Sequence, residues 1–315
     1  MRRLRTLLAT GLALLALTAS SAAAAPAPER SPVLPARVVD ASGERITVRN
    51  ASRIVVLNGD VAEVVFALGL GDRVVGTDIS ATYPAAAARR QRIGYQRTLS
   101  AEGILSLRPT VVIGNTTAGP ASVIRQIRDA GVTTVILPDD DRVASSWLKI
   151  QNVGRALGVP RRAAKLAKAT KARVRAAQRR AARSTSRPKV AMLYIRGSRV
   201  QLLGGKGSRG DVMIAAARGR DVGVELGIKG TRPITAESLV AAAPEVLLIP
   251  QAGLDSVGGI NGLLRIPGIA QTPAGRNRRV LAFDDQYLLG LGPRTGPAIR
   301  DLSSALHPEL LKGSR

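Results

Sequence analysis

"LSAEGILSLRPTVVIGN" (residues 99–115) and "ITAESLVAAAPEVLLIP" (residues 234–250) decide how this chain folds. Each reads hydroxyl, Ala, Glu, an apolar helical face, a proline seven residues after the glutamate, and then a β-rich apolar run. Glu102 and Glu237, like Pro109 and Pro244, are offset by 135 residues. Such a recurrence predicts two similar lobes.

Working outward, "RIVVLNGDVAEVVFALGLGDRVVGTD" (53–78) predicts a buried strand, a turn at Asn58 and Gly59, a helix from about Val61 to Leu68, a Gly-rich stop and a second strand at RVVG. Asp60 and Glu63 have the spacing of a capping box, in which the Asp60 carboxylate accepts free helix N–H groups. "TVVIGN" and "TTVILPDD" add short apolar strands, with "PASVIRQIRDAG" as the helix between them. Strands alternating with helices predict a mainly parallel α/β sheet. Upstream, ARVVD and RITVRN flank "ASGE" as a small hairpin, and residues 144–182 keep helical periodicity with a break at LGVP (157–160). The expected layout is a signal peptide at 1–25, a spacer and hairpin at 26–50, an N-terminal α/β lobe at 51–141, a linking helix at 142–184 and a C-terminal α/β lobe at 185–315. Two Rossmann-like lobes joined by a single long helix hinge only slightly, and a ligand cleft between the C-terminal ends of their sheets follows.

The chain has 315 residues, 45% of them hydrophobic, enough to bury the cores of two lobes. Its first 25 residues place Arg2, Arg3 and Arg5 before an apolar run from Leu7 to Leu17 and then small residues, which reads as a secretory signal peptide. With no cysteine, a lipid-modified N-terminal Cys, disulfides, thiolate metal sites and Cys nucleophiles are excluded, so the exported domain is held by packing alone. The single histidine, His307 in "SALHPEL", removes most zinc sites and the usual Ser-His-Asp arrangement, and reads as a solvent-exposed residue at a helix end. No nucleophile and base pair is visible, so no enzyme activity is expected.

The net charge of +25 falls to +22 without the three leader arginines, which favours anionic partners. From Arg142 to Gly210 there is no Asp or Glu, while Lys and Arg abound, as in "RRAAKLAKATKARVRAAQRRAAR". The segment is a solvated helix face or a surface that adheres to anionic cell wall or lipid headgroups. Nucleic acid is not expected, given the export signal and an aromatic content of 2%, which leaves bases little to stack on.

Tyr95 follows Gly94, precedes Arg97, and stands just before Ser100, a helix N-cap for "AEGILSL". A phenolate can bind ferric iron directly, and an arginine two residues on can meet an anionic group of a ligand. A loop tyrosine that packs its ring and hydrogen-bonds its hydroxyl would have the same neighbours. "LGGKGSRGD" (203–211) lacks the Walker spacing and reads as a loop near the pocket. Asp284 and Asp285 read as a strand-end turn, and Trp147 as packing the first turn of the linking helix against a lobe.

The words "RIVVLNGDVAEVVFALGLGDRVVGTD", "TYP", "IGYQRTLSAEGILSLRPTVVI", "DVMIAAAR", "TRPITAESLVAAAPEVLLI" and "LLRIPGIAQTPAGRNRRVLAFDDQYLLGLGPRTGPAI" together resemble haemin-binding proteins of bacterial haem ABC importers, over about residues 50–310 and in order. These have the class III periplasmic binding protein fold. The resemblance implies that Tyr95 ligates haem iron, with haem b as the transported ligand. It further implies that Arg97 and Arg232 pair with the haem carboxylates and that Glu102 and Glu237 dock on the importer's permease dimer, which works with its ATPase. Arg196 and the Asn58–Gly59 turn are assigned to the same pocket. In several relatives a histidine in a word like SHGG supplies a second ligand or a pocket contact. The equivalent stretch here, "LYIRGSRVQ", has Arg196 and no histidine, which favours ligation by Tyr95 alone over a substitute ligand at Tyr194. The expected protein is a monomeric extracytoplasmic haem carrier, in the periplasm or at the cell surface. The alternatives are a receptor for ferric siderophore or corrinoid on the same fold, or a basic cell-wall adhesive protein.

Overall fold

Two sheets carry the molecule in the computed structural model, which describes residues 31–197 and 200–312. The expected signal peptide lies outside the described residues. A hairpin of β1 (Ala36–Val39) and β2 (Arg45–Val48) comes first, antiparallel as its turn "ASGE" requires. The first sheet contains β3 (Ile54–Val56), β4 (Val74–Thr77), β5 (Gln91–Arg92), β6 (Val111–Asn115) and β7 (Thr133–Leu137). They run parallel in the order β5-β4-β3-β6-β7, so the chain reverses its direction of winding beside β3. The second sheet has β8 (Lys189–Arg196), β9 (Val200–Gly204), β10 (Arg220–Asp221), β11 (Thr231–Pro233), β12 (Val246–Pro250) and β13 (Val280–Phe283). Its order is β11-β9-β8-β12-β13, with β10 beside β8; the β8–β9 and β9–β11 pairs are antiparallel and the rest parallel.

The central strands β3, β6 and β12 are buried along their whole length, because helices cover both faces of each sheet. The 135-residue repeat is structural to the residue. Helix Ala101–Leu105 and β6 of one lobe correspond to helix Ala236–Ala242 and β12 of the other, each pair starting 135 positions apart. Each short helix is capped as its hydroxyl predicts: Ser100 accepts from the Gly103 N–H and Thr235 from the Ser238 N–H.

The connection between lobes is two helices, Ser145–Ala156 and Pro160–Ala181. Gly158, at φ +72°, makes the break, and Pro160 opens the second helix at a position where a missing N–H costs nothing. Ala163 and Ala167 of the second helix pack into the first lobe's core, and Val174 and Ala177 into the second lobe's. Trp147 packs against both cores. Among the described residues no helix is long and apolar enough to cross a membrane.

His307 departs from its sequence reading. It is fully buried, with Nε2 against the Ala217 carbonyl at 3.0 Å and Nδ1 within 2.9 Å of the Ser184 and Ser186 hydroxyls. The carbonyl can only accept, so Nε2 carries a proton, and Nδ1 faces the two serine hydroxyls, which also reach Glu309 Oε1 at 2.5 and 3.1 Å. The ring fastens the C-terminal helix to the segment that enters β8.

Candidate functional site

A cavity of about 1130 Å³ opens between the C-terminal ends of the two sheets. Its lining comes from the residues just past the strands: Ser80 after β4, Tyr95 to Arg97 after β5, Thr117 after β6, Asp141 after β7, Gln251 after β12 and Asp285 after β13, with Arg196 closing β8. A parallel sheet places every such loop at one end, which is why residues distant in sequence meet there.

The Tyr95 loop is built to hold its backbone still. Gly94, at φ +94°, lets the chain turn while its carbonyl accepts the Ile79 N–H at 2.9 Å. Gln96 accepts the Gly119 N–H at 2.7 Å through its carbonyl, and the Leu99 N–H reaches the Gly119 carbonyl at 3.0 Å. These bonds, with the Thr98 N–H on the Tyr95 carbonyl at 2.8 Å, fasten the loop's carbonyls, and the side chains project. Tyr95 is 40% exposed, and neither its hydroxyl nor the Arg97 guanidinium has a hydrogen-bond partner among the described residues.

Asn58 and Gly59 correct the sequence reading: they form the support beneath the cleft and do not line it. Asn58, fully buried, donates to Gln96 Oε1 at 2.6 Å and Thr117 Oγ1 at 3.0 Å, and its Oδ1 accepts the Asn115 N–H at 2.8 Å. Gly59 lies so close under the Ser80 carbonyl that a Cβ would collide with it. Asp60 fulfils only part of its capping-box reading: its Oδ1 accepts the Val61 N–H at 2.9 Å, but it is not the N-cap of its helix and Glu63 is turned elsewhere. Asp60 belongs to the first turn of helix Gly59–Ala67, whose N-cap is Asn58, and it serves an ionic cluster, while Glu63 forms a bidentate pair with Arg294 at 3.0 and 2.9 Å.

Arg232 is also corrected. It is exposed on the edge strand β11, directly opposite Leu203, a buried core residue of the second lobe. Its neighbours Thr231 and Leu202 line the cleft, and strand alternation turns Arg232 to the other face. Arg196 does reach the cleft, but Asp285 holds it: Nη2 lies 3.0 Å from the carboxylate, and Nη1 donates to the Ile195 carbonyl at 2.8 Å. Asp284 caps the helix after β13 by accepting the Tyr287 N–H. Tyr194 lines the cleft while packing against the second lobe's core, and burial pushes its phenol up to about 12. A phenolate is therefore costly there. Glu102 and Glu237 are exposed in the first turns of their capped helices. The Glu237 carboxyl is held below its usual range by its own backbone N–H and the Thr235 hydroxyl.

Several groups at the cleft floor were beyond sequence reasoning. Arg209, the first residue of helix Arg209–Ala216, pairs with Asp139, with Asp141 at 3.1 Å and with Asp60 at 3.5 Å, and donates to the Leu289 carbonyl at 2.8 Å. Lys149 pairs with Asp60 and, at 3.2 Å, with Asp139, and donates to the Gly290 carbonyl at 3.0 Å. Gln286 reaches across from the second lobe to the Gly59 and Tyr83 carbonyls and takes the Thr82 and Tyr83 N–H groups on its oxygen. The lobes are thus tied by charge and hydrogen bonds as well as by the helices. The one legible signal was the word "GSRGD", placed near the pocket.

The periplasmic binding protein family model matches residues 54–287. The chain belongs to the periplasmic binding protein family. That family consists of binding components of transport systems that work outside the cytoplasmic membrane; its members are not enzymes. Among solved structures, the periplasmic heme-binding protein RhuT from Roseiflexus sp. RS-1, in apo form, is 50% identical with a TM-score of 0.81, covering 83% of this chain and all of that one. The periplasmic heme-binding protein BhuT, in complex with two hemes, is 40% identical with a TM-score of 0.75 over 81% of this chain and 98% of that one. An uncharacterized ABC transporter substrate-binding lipoprotein of Bacillus subtilis, YvrC, is 25% identical over 91% of this chain and 90% of its own. A cobalamin-binding protein of Halobacterium salinarum is 24% identical over 97% and 85%.

Proposed function

We propose that this binding protein captures haem in the cleft and delivers it to an ABC importer. The observation that carries the reading is the pair of unpartnered side chains, Tyr95 and Arg97, projecting from one braced loop into a cavity of about 1130 Å³. Tyr95 would supply a phenolate to ferric iron, and Arg97 a charge-assisted hydrogen bond to a propionate. Arg196 would take the other carboxylate in exchange for Asp285. Tyr95 serves as sole protein ligand, since the buried Tyr194 phenol resists ionisation. Identity of 50% to one heme-binding protein and 40% to another supports haem over the corrinoid reading, whose full-length relative is 24% identical. Glu102 and Glu237, exposed at matching places on the two lobes, would engage the permease.

The test is a haemin titration of the protein and of Tyr95→Phe and Tyr95→Ala, followed in the Soret band, with cyanocobalamin in parallel. Saturable binding with a phenolate-ligated spectrum, lost in both variants, is expected. Absence of a saturable Soret change, an unaltered Tyr95→Phe spectrum, or tighter binding of cyanocobalamin overturns the proposal.

A further inference from the structure

The helix Pro160–Ala181 spans both lobes with nine basic residues and no acidic one. Its buried residues, Ala163, Ala167, Thr170, Val174, Ala177 and Ala181, form one seam against the lobes. At 3.6 residues per turn, Arg161, Lys165, Lys168, Arg175 and Arg179 fall within about 40° of a single line, about 160° from the centre of that seam. All five are exposed, and none has an ion-pair or hydrogen-bond partner among the described residues. The helix's other basic side chains sit off this line, and three of them turn back to the protein. Lys171 lies over the Trp147 ring, Arg162 donates to the Leu68 carbonyl and Arg180 to the Leu310 carbonyl. The stripe runs over 19 residues, about 27 Å from end to end.

The stripe points away from the cleft. No residue of this helix lines the cavity. Its first turn packs at the C-terminal end of helix Gly59–Ala67, where Arg162 meets Leu68, while Asp60 at the other end of that helix lies on the cleft floor. A bound partner would leave the ligand's path open. Only alanines (Ala164, Ala172 and Ala176) are exposed between the cations, so nothing large and apolar is available to enter a bilayer. Recognition there depends on charge alone, and cations spaced along a line match charges repeated along a chain.

We infer that this stripe docks the protein on a linear polyanion with repeating phosphates, as an anionic cell-wall polymer presents them. The choice of polymer over bilayer rests on the proposed function. Helices Ala101–Leu105 and Ala236–Ala242 lead into β6 and β12, so their first turns, which carry Glu102 and Glu237, lie toward the C-terminal strand ends where the cleft opens. A stripe lying on the membrane would turn those docking groups away from the importer. A polymer held on the back leaves them facing it.

The experiment uses the folded protein, immobilised long-chain inorganic polyphosphate, and vesicles of phosphatidylglycerol and phosphatidylcholine. The variant replaces Arg161, Lys165, Lys168, Arg175 and Arg179 with Gln. A control of equal net charge replaces the exposed Arg37, Arg45, Arg49, Arg89 and Arg125 with Gln. Polyphosphate binding that weakens about tenfold or more in the stripe variant, much less in the control, and falls steeply with salt is expected. Haemin titration of the stripe variant should be unchanged, so a failure of the haem reading is seen separately. Equal losses in the two variants would show general charge attraction only, and preference for the vesicles at matched charge would place the stripe on a bilayer. Either result overturns the inference.

Discussion

Replacing Arg209 by Met removes the second-lobe cation that pairs with Asp60, Asp139 and Asp141 of the first lobe. Asp139 is 1% exposed at its side chain and Asp60 7%, so neither can recover its hydration when the guanidinium goes. Breaking a buried pair by removing one partner costs about 3–5 kcal/mol. Lys149 remains against both carboxylates, which places the expected loss at the lower end, about 3 kcal/mol. With an unfolding entropy of about 2.1 cal/mol/K per residue, Tm falls by about 5 °C. The pH dependence identifies the cause. Burial pushes the Asp139 carboxyl up while Lys149 and Arg209 pull it down; burial also opposes ionisation of Asp60, yet the two cations hold its carboxyl below the ordinary value. Without Arg209 both carboxyls move up, the folded protein binds protons more readily than the unfolded chain, and the penalty is fully present above the folded-state values. It shrinks as pH falls through them. Thermal unfolding followed by circular dichroism should therefore show a larger loss at pH 8 than at pH 5. Asp141→Asn, at a side chain 42% exposed, should cost under about 1 kcal/mol. A loss in Arg209→Met that is the same at both pH values would assign the cluster's role to packing and refute the reasoning.

Asp78 is fully buried, has one carboxylate oxygen without a hydrogen-bond partner, and is pushed by burial up to about 6. Its folded-state value is raised, so its ionisation opposes folding above about pH 6 and the cost disappears below the unfolded value. Asp78→Asn should raise Tm at pH 8, by up to about 3 kcal/mol of stability, and leave it unchanged near pH 3; a variant no more stable at pH 8 contradicts this. Asp285→Asn should release Arg196 to a ligand carboxylate. The pair is half exposed and screened, so the gain is about 1 kcal/mol, or about fivefold in haemin Kd by fluorescence quenching. An unchanged or weaker Kd would remove Arg196 from the ligand's contacts.

The fold was legible because it rests on local chemistry repeated in order. Hydroxyl caps at Ser100 and Thr235, prolines after short helices and apolar runs at β6 and β12 are each read within a single turn or strand. Tyr95 and Arg97 were legible for a related reason: a glycine, an aromatic and an arginine before a cap mark a loop that must project. Asn58, Gly59 and Arg232 were misplaced because burial and strand alternation, which one-dimensional spacing does not specify, turn them away from the cleft. His307 was misread for the same reason. Its hydrogen-bond partners, Ser184, Ser186 and Ala217, lie far from it along the chain.

By itself the sequence determined two α/β lobes, their helical connection, the basic run between them and the loop that carries Tyr95, because helix caps, apolar periodicity and charge are properties of neighbours in the chain. Only the tertiary structure decided which cations are free. Arg209 is consumed by Asp139, Asp141 and Asp60, Arg196 by Asp285, and Arg294 by Glu63, whereas Arg97 and the five-residue stripe are left without partners among the described residues. A charge's availability depends on which opposite charges folding brings within a few ångströms and on how much water is left beside it, and both are settled by long-range packing.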